Sequence, residues 1–172
     1  MKCLVSLFVL LSLSACDFTA IESSICQNNL SDMRGFDGRY SMDVGQGHTI
    51  PVSVSRVSRG NYSLLSDDGV ELMSFQTCKV SGLNIAESLV EEGVLAAFKI
   101  ELSSRSTVIK TLQFVETILD NNGVSYQVEE TEIEGIPLSM IQIDNSRMSS
   151  QELVNLSVSS NGKEPFYIEL TK

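Results

Sequence analysis

Apolar and polar residues alternate with period two over much of this chain, and compact turn signals separate the alternating runs. In residues 50–57, Val52 and Val54 fall on one face while Ser53 and Ser55 fall on the other, the pattern of a half-buried strand. Residues 38–44 alternate more weakly. Ser58-Arg59-Gly60-Asn61 predicts a turn into a strand over 62–65. Asp67-Asp68-Gly69 predicts a hairpin, because Gly after Asp accepts the positive φ of a tight turn. The returning strand covers 70–75 and continues through 77–80. Val94, Ala96, Phe98, Ile100 and Leu102 share one face of the clearest strand, with Lys99 and Glu101 on the other. Short strands joined by short turns point to an antiparallel meander with neighbours paired.

Three segments are less regular. Residues 84–92 fit either a strand or a single helical turn. In residues 107–120, Val108, Leu112, Val115 and Leu119 recur at helical spacing, and Asn122-Gly123 would end that helix with a left-handed Gly. Helix is the expectation there, although Asn122-Gly123 and the β-branched residues leave a strand open. Val124, Tyr126 and Val128 alternate into an acidic stretch, followed by a strand over 138–143 whose phase shifts at Met140-Ile141, the mark of a bulge. Ser149 and Glu152 have capping-box spacing. Val154, Leu156 and Val158, then Asn161-Gly162, then residues 166–170 read more simply as a closing hairpin.

The fold class that follows is mainly β, with α+β as the alternative. It is an antiparallel meander that can close into a small up-and-down barrel with one packed helix.

The first residues follow different rules. Lys2 precedes an apolar run over 4–13 broken only by Ser6 and Ser12. That run is about half of the roughly 20 residues a membrane-crossing helix needs. A charged start, a short apolar stretch and small residues at the end have the anatomy of an export signal. Leu13-Ser14-Ala15-Cys16 resembles the lipobox of bacterial lipoprotein precursors. The resemblance implies cleavage between Ala15 and Cys16 and a diacylglyceryl group on the Cys16 thiol. It also implies stable membrane anchoring, since two or more acyl chains hold where one does not. Asp17 resembles the signal that keeps a lipoprotein in the inner membrane, on its periplasmic face. The expected organisation is a signal peptide over 1–15, a lipidated N-terminus and tether over 16–35, and one β-rich domain over 36–172.

Once Cys3 leaves with the leader and Cys16 carries lipid, Cys26 and Cys78 remain. An even pair in an exported chain is expected to form a disulfide, pinning the N-terminal segment to the β region.

The chain of 172 residues has a formal charge of -10, with 22 acidic and 12 basic side chains. That excess argues against nucleic acid as a partner, because such affinity comes from neutralising phosphates. His48, the sole histidine, stands in Gly45-Gln46-Gly47-His48-Thr49, a loop sequence, with no nucleophile elbow elsewhere. Glu129, Glu130, Glu132 and Glu134 lack the spacing of a calcium loop and read as a solvated edge that discourages aggregation. No catalytic residue, metal ligand or cofactor is assigned. Arg34, Arg39, Arg56 and Arg59 concentrate in the first half, where a basic surface could face headgroups near the anchor.

The resulting expectation is a lipid-anchored envelope lipoprotein that binds an apolar ligand or a partner protein without catalysis. The alternative is a lipid-anchored, carboxylate-dependent hydrolase.

Overall fold

A computed structural model describes residues 17–44, 48–91, 93–133, 136–159 and 167–172. Its strands are β1 (Asp17–Ile21), β2 (Gly38–Asp43), β3 (Thr49–Ser58), β4 (Asn61–Ser66), β5 (Glu71–Val80), β6 (Leu83–Glu91), β7 (Val94–Leu102) and β8 (Ser106–Thr111). After helix α1 (Glu116–Asn121) come β9 (Tyr126–Ile133), β10 (Ile136–Ile143), helix α2 (Ser150–Ser159) and β11 (Tyr167–Thr171).

Strands β2 to β8 form a continuous antiparallel meander, and β11 closes it by pairing with both β8 and β2. The result is a closed barrel of 8 antiparallel strands. Registers such as Ile168↔Ile109 and Leu170↔Met42 place the closing strand. Alternation decides which residues enter the barrel. Tyr40 and Met42, Val52 and Val54, and Phe98 and Ile100 all turn inward and are buried.

A three-stranded annex leaves the barrel wall at β7. Strand β1 lies antiparallel to β7 through Ala20↔Ala96 and Ile21↔Leu95, and β10 lies parallel to β1 through all of Asp17–Ile21. Strand β9 forms the edge. A second core of Ile21, Ile85, Leu119, Ile143, Leu153 and Val154 fills the space under this annex, among the outer barrel wall, α1 and α2.

Several sequence expectations change. Residues 107–120 do not form one helix: 106–111 are strand β8 and only 116–121 are helical. Thr107, Ile109 and Thr111 are buried while Val108 and Lys110 are not, so pairing with β7 and β11 sets a period of two. Helix α1 does end as expected, with Gly123 at φ 64. The closing hairpin is also absent over 154–158, which belongs to α2. There the capping box prevails: Glu152 accepts the Ser149 N–H at 2.8 Å, and Leu153 and Val154 bury one face of the helix. Strand β11 pairs elsewhere, and Asn161-Gly162 lies outside the described residues. Of residues 84–92, undecided from sequence, 84–91 lie in strand β6 and Glu92 lies outside the described residues. No register shift marks Met140-Ile141, whose pairing with β9 runs unbroken. Within the stretch expected to be a tether, 16–35, residues 17–21 enter the sheet as β1, with Thr19, Ala20 and Ile21 buried.

Candidate functional site

The N-terminal segment is fastened to the annex and the barrel at every few residues, and the fastening groups come from distant parts of the sequence. Ser23 and Asn145 exchange two hydrogen bonds, Ser23 N–H donating to Asn145 Oδ1 and Asn145 Nδ2 donating to Ser23 C=O, each at 2.8 Å. Glu87, on the outer face of β6, is 1% exposed. Its carboxylate accepts the N–H of Ile25 at 2.8 Å and of Cys26 at 3.4 Å, and also accepts the Ser24 hydroxyl. Burial pushes the Glu87 carboxyl above the ordinary range, and these three donors pull the other way. Cys26 and Cys78 form the expected disulfide, 52 residues apart in sequence. It joins β5 to the N-terminal segment, the pinning expected from an even cysteine pair.

Beyond the disulfide, residues 30–37 cross one end of the barrel as a strap. Ser31 N–H donates to Thr77 C=O at 2.9 Å, and Gly60 N–H donates to Asp32 Oδ1 at 2.9 Å. Asp32 also pairs with Arg56 at 2.8 Å. The Gly60 N–H and the Arg56 charge hold the Asp32 carboxyl below its ordinary range. Met33 and Phe36 turn into the barrel. Met33 N–H donates to the Tyr62 phenol at 2.9 Å. Phe36 meets Tyr62 and Phe75 edge to face, with centroids 5.0 and 6.1 Å apart, and Phe75 meets Phe98 at 6.0 Å. The strap therefore acts as a plug, and its aromatic residue starts a chain of rings that fills the interior.

Among the described residues, two depressions on the outside stand out. One, of about 470 Å3, runs over the outer wall of β4, β5 and β6, with Val57 (69% exposed) and Leu89 (55% exposed) among its lining residues. Ser63, Glu71, Ser74 and Gln76 line it too, and the Ser63 hydroxyl donates to Glu71. Glu87 reaches this groove from the side, its oxygens already engaged by the Ser24–Cys26 turn. The second, of about 580 Å3, lies between the end of α1 and the face of α2, lined by Asn122, Ser125, Asp144, Arg147 and Glu152.

Of the residues singled out from sequence, Cys26 and Cys78 come together. Ala15 and Cys16 lie outside the described residues, immediately before β1. His48 is exposed beside β3. Glu129 and Glu130 are exposed on the edge strand, and the side chains of Glu132 and Glu134 lie outside the described residues. Sequence reasoning missed Glu87, Asn145 and Asp32. The only signal for Glu87 was a carboxylate next to Ile85-Ala86 in an apolar strand, a position that gives no hint of its partners 61 to 63 residues away.

Comparison with known proteins yields no match among protein families, curated proteins or solved structures. Among the described residues, no helix is long and apolar enough to cross a membrane.

Proposed function

We propose that this chain is a lipid-anchored lipoprotein of the bacterial cell envelope that binds a partner protein through the outside of its barrel, without catalysis. Leu13-Ser14-Ala15-Cys16 supplies the anchor, and Asp17 favours the periplasmic face of the inner membrane. The filled interior carries the choice of partner. Apolar carriers of this architecture keep a cavity for one ligand, whereas here Phe36, Tyr62, Phe75 and Phe98 occupy the centre. Binding therefore falls to the surface, and the groove beside Val57 and Leu89 is the candidate patch.

The hydrolase alternative would rest on Glu87, whose raised pKa suits a general acid. Its hydrogen bonds to Ser24, Ile25 and Cys26 give it a structural task instead. The test is labelling with radioactive palmitate in a bacterium expressing the full chain. The wild type incorporates label and globomycin shifts it to the precursor, while Cys16→Ser does neither. An unlabelled wild type would refute the proposal.

A further inference from the structure

The ends of the barrel carry opposite charge. In sequence, the segments that link β2 to β3, β4 to β5 and β6 to β7, residues 43–49, 66–71 and 90–94, contain Asp43, Asp67, Asp68, Glu71, Glu91 and Glu92 and no Lys or Arg. At the strap end, Arg59 sits in the β3–β4 turn, Arg105 in the β7–β8 turn and Arg34 in the strap, all exposed. Contacts tie them into one surface. Lys172 N–H donates to Arg105 C=O at 2.9 Å, and its Nζ reaches Gly35 C=O, next to Arg34, at 3.4 Å. The strap joins the β3–β4 turn through Asp32 and Gly60. Asp32 and Asp37 are the acids on the strap, and Asp32 is already matched by Arg56.

The direction of β1 gives this surface a neighbour. Strand β7 runs from the acidic end toward the Arg105 turn, and β1 is antiparallel to it. Going back along β1 from Ala20 to Asp17 therefore leads toward the cationic end, a rise of about 10 Å at 3.3 Å per residue. A bilayer anchored at Cys16 meets the protein from that side.

We propose that the strap end of the barrel is a second membrane contact, in which Arg34, Arg59, Arg105 and Lys172 bind the anionic phospholipid headgroups of the bilayer. The position of this bilayer rests on the lipid-anchor reading; the affinity of the cationic surface for anionic lipid does not. The carboxylates of Glu129 and Glu130 lie on the outermost annex strand, on the far side of β1 and β10 from the barrel. Attraction at the barrel and repulsion at this edge together tilt the molecule about its anchor, strap end down. A cationic side chain near such a surface contributes about fivefold to partition, and the contribution falls with salt.

The test reconstitutes the full lipidated protein into vesicles of phosphatidylcholine, with or without phosphatidylglycerol, and maps arginine modification by phenylglyoxal. Arg34, Arg59 and Arg105 become protected only on the anionic vesicles and lose that protection in high salt. Arg147, exposed in the loop before α2, reacts equally on both and serves as the control. Equal reactivity on both vesicles overturns the proposal, as does protection without vesicles through self-association or another protein. The mass of the N-terminal peptide reports separately whether Cys16 bears lipid. If it does not, flotation of the unlipidated protein decides the matter. The triple variant Arg34→Gln, Arg59→Gln, Arg105→Gln, all surface changes, should lower binding to phosphatidylglycerol vesicles by about a hundredfold; unchanged binding overturns the proposal.

Discussion

The Glu87 carboxylate accepts the Ile25 backbone N–H at 2.8 Å, joining a strand in the middle of the barrel meander to a turn near the start of the chain. An acid with 1% exposure is costly to bury, and here that cost is offset by donors from Ser24, Ile25 and Cys26. Removing it leaves those donors unpaired. Glu87→Ala should lower stability by on the order of 3 kcal/mol in urea denaturation, and Glu87→Gln, which keeps one acceptor oxygen, by less. A loss under half a kcal/mol would mean that the turn is held by something else.

The same residue sets a pH dependence. Burial raises the folded pKa of Glu87 above its ordinary value of 4.5, so the folded state holds the proton more tightly than the unfolded chain. The stability it contributes is fully present below that ordinary value and is lost as pH rises through the raised one. The stability of the wild type relative to Glu87→Gln should therefore fall as pH rises through that window. A difference that grows with pH would contradict the assignment. Asp32 and Glu101 act in the opposite sense, because their partners lower their pKa values; what they contribute is lost on acidification.

The Cys26–Cys78 disulfide closes a loop with a sequence separation of 52. Chain entropy puts its contribution at about 4 kcal/mol. The double variant Cys26→Ala, Cys78→Ala should unfold at correspondingly lower urea, with the strap more open to proteolysis than the barrel strands. Uniform proteolysis would indicate that the disulfide supports the whole barrel rather than its N-terminal fastening.

Phe36 plugs the barrel from the strap, and Gly60 makes room for the strap to pass. Phe36→Ala should cost about 3–5 kcal/mol, and the cavity it leaves should take up small apolar probes that the wild type refuses. At Gly60, φ is +67, and an added Cβ would lie 2.9 Å from the Leu30 Cβ and 3.0 Å from the Ser31 nitrogen. At Gly82, φ is +80 and the space is open. Gly82→Ala should therefore cost only the left-handed backbone strain, about 1 kcal/mol, and Gly60→Ala clearly more. Equal losses at the two sites would place the strap farther from the turn.

What could be read from the sequence was what local pattern determines. Val52 and Val54, the face from Val94 to Leu102, and the Asp67-Asp68-Gly69 turn are specified by residues within a few positions of one another, and each folds as read. Residues 107–120 misled because Val108, Leu112, Val115 and Leu119 fit a helical stripe by spacing alone. Pairing with β7 and β11, strands distant in sequence, decides for a strand. Residues 154–158 failed in the other direction, a β-like alternation overruled by the Ser149–Glu152 cap and by burial of Leu153 and Val154. The N-terminal fastening was half legible. An even cysteine count gave the disulfide, but Glu87, Asn145 and Asp32 act on residues whose proximity only the fold creates. Entry of β1 into the sheet also depends on β10, more than a hundred residues later, which is why a polar N-terminal stretch read as a tether.

Attachment of lipid to Cys16 is the claim on which location, orientation and function depend. Its most direct test is the mass of the N-terminal peptide of protein extracted from membranes with detergent. The peptide should begin at Cys16 and carry a diacylglyceryl group on its sulfur. A peptide that starts elsewhere, or a Cys16 with a bare thiol, would contradict the account.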